Sequence, residues 1–163
     1  MNKKALDLET PEITRKANKH KAILTAAGYG IIVFILWNFI KGIIYLRYFL
    51  PENQEVSDLG YSIGYIVLVC VDTIICLVTA FYAGRVAKKD KRINVVFIIL
   101  ASLVLLGGCL TFGIDIAILC FLDKFSIISV FLFVADIIFF VFTIQIFVST
   151  IVLKKIEKGQ KDE

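Results

Sequence analysis

Four long apolar runs constrain this chain more than any other feature. They occupy residues 22–50, 59–84, 93–122 and 125–153. At about 1.5 Å of rise per residue, roughly 20 residues of helix cross a ~30 Å hydrocarbon core, so each run is long enough to span with some tilt. Backbone N–H and C=O groups find no water there, and only helices or closed barrels satisfy them. A barrel needs strands of about 10 residues alternating polar and apolar. Stretches such as VFIILASLVLL and VADIIFFVFTIQIFV do not alternate. The runs therefore predict an all-α integral membrane protein, a four-transmembrane-helix up-down bundle with N and C termini cytoplasmic. Residues 1–21 form a cytoplasmic N-terminal segment, 22–153 the transmembrane domain and 154–163 a cytoplasmic tail.

Composition agrees. The apolar fraction is 59% and the mean hydropathy +0.86, where soluble domains hold about 45–50% apolar residues. The net charge of +4 does not point to nucleic acid, because the charges stand at the ends of the apolar runs. Of the 18 lysines and arginines, 15 fall in residues 1–21, in the RVAKKDKR loop at 85–92 and in the tail. The positive-inside rule assigns those three segments to the cytoplasm, and the expected location is the cell (plasma) membrane. The first apolar run exceeds the length of a signal-peptide core and follows a polar leader, so a cleavable signal is not expected. Pro51 ends the first run, PENQEVSD makes a short acidic connection, and Asp123-Lys124 a tight turn. Thr10-Pro11-Glu12 suits the start of a short helix that lies on the membrane surface or leads into the first span, with disorder of residues 1–21 the other expectation.

The four cysteines, Cys70, Cys76, Cys109 and Cys120, all lie inside apolar runs without a C-x-x-C pair. They read as small packing side chains rather than disulfides or zinc ligands. No P-loop, dinucleotide fingerprint or metal-ligand cluster is present, so no catalytic, cofactor-binding or metal residues are assigned and no cofactor is expected. A lone His20 at the interface reads as a solvated side chain. Trp37 lies too deep for an interfacial anchor and is expected against another helix, whereas Tyr29, Tyr45, Tyr48, Tyr61 and Tyr65 include anchors. Gly60 to Gly64 and Ala80 to Gly84 have small-xxx-small spacing, which serves intramolecular packing or a dimer face.

What remains is polar chemistry inside the apolar runs. A carboxylate at the bilayer centre costs about 2.5–3.5 kcal/mol on insertion scales, yet Asp72, Asp115 and Asp136 all lie there. Ser129, Asp136, Thr143 and Thr150 recur every seven residues, as do Asn94, Ala101, Gly108 and Asp115. Seven residues are nearly two helical turns, so each set lines one side of its helix. Asp72, Cys76, Thr79, Ala80 and Ala83 form a third small or polar face. Such faces turn toward other helices. Counted from the helix ends, the three aspartates and Lys41 fall at similar depth, with Asn38 one turn deeper. The expected site is one intramembrane polar cluster: Asp72, Asp115, Asp136, Lys41 and Asn38.

Three functions fit such a cluster. It can be structural glue in a non-enzymatic accessory, regulatory or immunity-type subunit, whose partners are the lipid bilayer and a membrane protein. It can serve a small proton- or cation-coupled transporter, a homo-oligomer. It can also be the paired carboxyls of an intramembrane aspartyl peptidase. The last layout is similar to lipoprotein signal peptidases through Gly113-Ile114-Asp115 and Val134-Ala135-Asp136. The resemblance implies Asp115 and Asp136 as the catalytic pair. The chain departs from that family where Phe112 and Ile116 replace the Asn and Arg around the first aspartate, and Phe133 the Asn before the second.

Overall fold

The computed structural model describes residues 3–48, 57–89, 93–121 and 127–159. It is all-helical, with four helices in chain order: α1 (Lys3–Tyr48), α2 (Ser57–Lys89), α3 (Val95–Phe121) and α4 (Ile127–Gly159). Each is long and apolar enough to cross a membrane. Pro51 and most of the PENQEVSD connection, the Asp123-Lys124 turn, the end of the tail, and the side chains of Tyr45, Tyr48, Gly60, Tyr61, Tyr65 and Ser129 lie outside the described residues.

Of the expected courses for residues 10–21 the structure takes the one that leads into the first span, but the helix starts earlier: α1 is one continuous helix of 46 residues with Pro11 inside it rather than at its first position. Its length is about 69 Å at 1.5 Å per residue, more than twice a hydrocarbon core. The charged side chains of 11–19 are exposed, while Ala17 packs against the core.

The helices pack as a ring. α1 lies against α2 and α4, α3 lies against α4, and the α2–α3 seam is the thinnest of the four. The spacing of buried residues shows why. On α4, Leu132, Asp136, Phe139, Thr143, Ile146, Thr150 and Leu153 are all buried, alternating steps of four and three. On α3, Phe97, Ala101, Val104, Gly108 and Asp115 follow the same rhythm. This average of 3.5 keeps one seam facing its neighbours, the geometry of left-handed bundles. Ala101, Gly108 and Asp115, and Asp136, Thr143 and Thr150, are thus alternate members of the buried seams, whereas Asn94, just before α3, is exposed. The opposite faces carry exposed Ile, Val, Leu and Phe.

Since lipid tails are as apolar as leucine, close packing rather than water exclusion joins these helices. Three glycines permit it. A Cβ on Gly28 would stand 3.3 Å from the Ala83 methyl and 3.4 Å from the Ala80 carbonyl oxygen of α2. One on Gly108 would meet the Thr143 hydroxyl at 3.0 Å, and one on Gly30 the Phe142 ring at 2.7 Å. Of the two small-xxx-small pairs, Ala80 therefore serves the α1–α2 contact, while Gly64 and Gly84 border open space. Trp37 packs edge-on against Phe131 with centroids 5.5 Å apart, as its depth requires.

One end of the bundle is tied by polar contacts that sequence reasoning missed. The Glu157 carboxylate accepts the Ile93 N–H at 2.9 and 3.1 Å, and Lys154 donates to the Ile93 carbonyl at 2.6 Å. Ile93 is buried just before α3, where the Asn94 carbonyl accepts the Phe97 and Ile98 N–H groups. The end of α4 thus supplies partners to the start of α3. Glu157→Ala should lower thermal stability in detergent by about 1.5 kcal/mol, the low end for a bond to a charged group because Glu157 is part-exposed. Glu157→Gln, which keeps a carbonyl acceptor, should lose less. At the same end His20, expected in solvent, is instead half-buried, with Nδ1 3.3 Å from the Ser149 hydroxyl of α4.

Candidate functional site

The opposite half of the bundle holds the intramembrane charges. Lys41 on α1 reaches into the centre of the ring, where it is buried. Its ammonium donates to both oxygens of Asp115 on α3, at 3.1 and 3.0 Å, and to Oδ2 of Asp136 on α4. Both carboxylates are buried as well. A lysine suits this place because its head has three rotatable donors and its four-carbon stem packs along apolar neighbours. α1 and α3 share no extensive seam of their own among the described residues. The lysine side chain joins these two helices across the ring.

Each position follows from its helix. Asp115 ends the α3 stripe through Phe97, Ala101, Val104 and Gly108, and Asp136 belongs to the α4 stripe one turn from Leu132 and Phe139. The stripes that bury Ala101 and Thr150 toward one end bury Asp115 and Asp136 toward the other. Near the same depth Phe112 stacks on Phe133 at 5.5 Å and on Phe140 at 5.3 Å. These rings add an apolar α3–α4 contact beside the charges, which strengthens the electrostatic attraction by excluding polar groups. With both carboxylates ionised the group carries formally one negative charge.

Asp72 and Asn38 stand apart from that triad. Asn38 on α1 donates through Nδ2 to Asp72 Oδ2 at 3.4 Å, and the Cys76 thiol, one turn along α2, lies 4.0 Å from the same oxygen. The other oxygen, Oδ1, is 3.1 Å from where a Cβ on Gly107 would be, so it faces α3. Gly107 is eight residues from Asp115, about 12 Å along the helix. Asp72 is half-buried, and no cation lies within ion-pair distance of it among the described residues. All five expected residues therefore face the interior or a seam, but as two groups: a triad of Lys41, Asp115 and Asp136, and a pair of Asp72 and Asn38.

The chemistry of the two groups differs. In the triad an ammonium sits between the carboxylates. A proton-sharing aspartyl pair would need them to face one another around a water. Three charged hydrogen-bonding groups held together in a low-dielectric interior form a stable knot. Among the described residues the Asp72 carboxyl has an amide and a thiol beside it, and it keeps capacity for a cation or a proton. Among the described residues no group of three or more His, Cys, Asp or Glu is placed to hold a metal ion. The chain matches no protein-family model, no curated protein and no solved structure.

Proposed function

We propose that this chain is a multi-pass protein of the cell membrane that acts as a non-enzymatic accessory, regulatory or immunity-type subunit of a larger membrane system. The observation that carries this reading is the Lys41 ammonium held by both Asp115 and Asp136. The two carboxylates best placed for chemistry or transport are engaged in joining α1, α3 and α4. A bundle held this way is a scaffold whose outer faces meet lipid and partner helices. An up-down-up-down course is supported by the contact of His20 near the start of α1 with Ser149 near the end of α4. The lysine and arginine distribution supports cytoplasmic termini. Tagged protein purified in mild detergent should bring down a larger membrane protein in stoichiometric amount. Recovery of a homo-oligomer alone would overturn the reading.

A small proton- or cation-coupled transporter is the second reading. Asp72 favours it: a half-buried carboxylate inside an apolar helix, with no cation within ion-pair distance among the described residues. A transporter should lose its flux in proteoliposomes on Asp72→Asn while the folded yield is unchanged. An accessory subunit should show no flux above protein-free vesicles in either form. The aspartyl-peptidase reading draws no support from carboxylates bridged by an ammonium.

A further inference from the structure

The α2–α3 seam is closed at one end and open at the other. Toward the Glu157 end, Tyr82 stacks on Phe97 with centroids 6.0 Å apart, and Val86 and Ile93 are buried. Toward the Lys41 end most described residues of both helices are exposed. From Ile63 to Val71, every α2 residue whose side chain is described is exposed except Val69, which is half-buried. From Gly113 to Ala117 on α3, only Asp115 is buried. Asp72 stands where the seam begins to open. Its Oδ2 is held from the α1 side by Asn38, and its Oδ1 lies over Gly107 within the seam.

We propose that Asp72 is the docking point for a single transmembrane helix of a partner protein, lying in the α2–α3 cleft and carrying a Lys or Arg at the depth of Asp72. The proposal rests on the accessory-subunit reading. Charge complementarity names the occupant. The cation of the triad is already committed to Asp115 and Asp136, so Asp72 is a carboxyl group with no cation beside it among the described residues. A lone carboxylate and a lone ammonium are each costly in hydrocarbon, and pairing them relieves both. The site is shaped for such an approach. Gly107 has no side chain over Oδ1, and Gly64, two turns along α2, borders open space. Gly64 leaves room for a second backbone, while the space over Gly107 holds Asp72 Oδ1 itself. Asn38 steadies one carboxylate oxygen and leaves the other for the cation.

The test uses the full chain, donor-labelled and reconstituted in phosphatidylcholine vesicles. The probes are acceptor-labelled Leu/Ala peptides of about 20 residues, enough to span the core, with either Lys or Leu at the centre. Energy transfer should report association of the Lys peptide about tenfold tighter than the Leu peptide. Asp72→Asn should abolish that preference and Asp72→Glu should keep it, both at wild-type helicity and elution. Leu68→Trp, one turn from Asp72 in the cleft, should weaken binding, while Ile138→Trp on an exposed face of α4 should not. This last pair keeps the test decisive if Asp72→Asn fails to fold.

Equal association of the two peptides with the native chain would overturn the proposal, as would a Lys preference that survives Asp72→Asn. So would association between labelled copies alone that Asp72→Asn removes, since the occupant would then be a second copy. Flux lost in Asp72→Asn together with equal peptide binding would overturn it in favour of a proton at this carboxylate. A partner that co-purifies while the peptides bind equally would leave the accessory reading standing and remove only the docking point. A Lys preference with no co-purifying partner would do the reverse.

Discussion

Lys41→Ala should be the most damaging single substitution in this bundle, lowering stability by about 3–5 kcal/mol. It would strand the Asp115 and Asp136 carboxylates, both buried and both bonded to the lysine, in a site removed from water. Removing one partner of a buried ion group costs more than the group contributes, because the remaining charges keep their desolvation penalty. The same logic predicts rescue. Replacing Lys41, Asp115 and Asp136 together by Met, Leu and Leu should recover most of the loss, since no charge is then left buried alone. Denaturant titration in micelles of the single and triple variants checks this. A triple variant as unstable as Lys41→Ala would mean that the charges do more than hold the helices together.

Gly108→Leu should be nearly as disruptive, by about 1–3 kcal/mol, through geometry rather than charge. The first added carbon would already stand 3.0 Å from the Thr143 hydroxyl and 3.3 Å from the Phe140 ring. Those atoms sit close to the α4 backbone, and Thr143 is further fixed by donating to the Phe140 carbonyl. α3 would have to move away from α4, and Asp115, two turns along the same stripe, would move with it. The loss should therefore be non-additive with Lys41→Ala in a double-mutant cycle, as for neighbours that share one structural unit. Gly113→Leu serves as control. That glycine borders open space, and the substitution should be nearly neutral.

Much of this was legible in the residues, for one physical reason. Hydrocarbon leaves the backbone few choices, so run length alone yields four helices. It penalises polar groups strongly enough that seven-residue spacing reveals the inward face. Ala101, Gly108 and Asp115, and Asp136, Thr143 and Thr150, are buried as that spacing requires. Trp37 lies against another helix for the same reason.

Partner choice was not legible, because it depends on which helices become neighbours and how each is rotated. Spacing along the helices locates Asp72, Asp115 and Asp136 only to within about two turns of one another. Only the packed ring decides that Lys41 crosses to Asp115 and Asp136, while Asp72 is turned toward Asn38 and Gly107 in the thin α2–α3 seam. The Lys154–Ile93–Glu157 tie and the His20–Ser149 contact join residues more than 60 positions apart, beyond any local pattern. Sequence alone determined that these side chains face inward, because hydrocarbon rejects them. The tertiary structure decided which of them meet, because a charge finds its counter-charge across helices rather than along one.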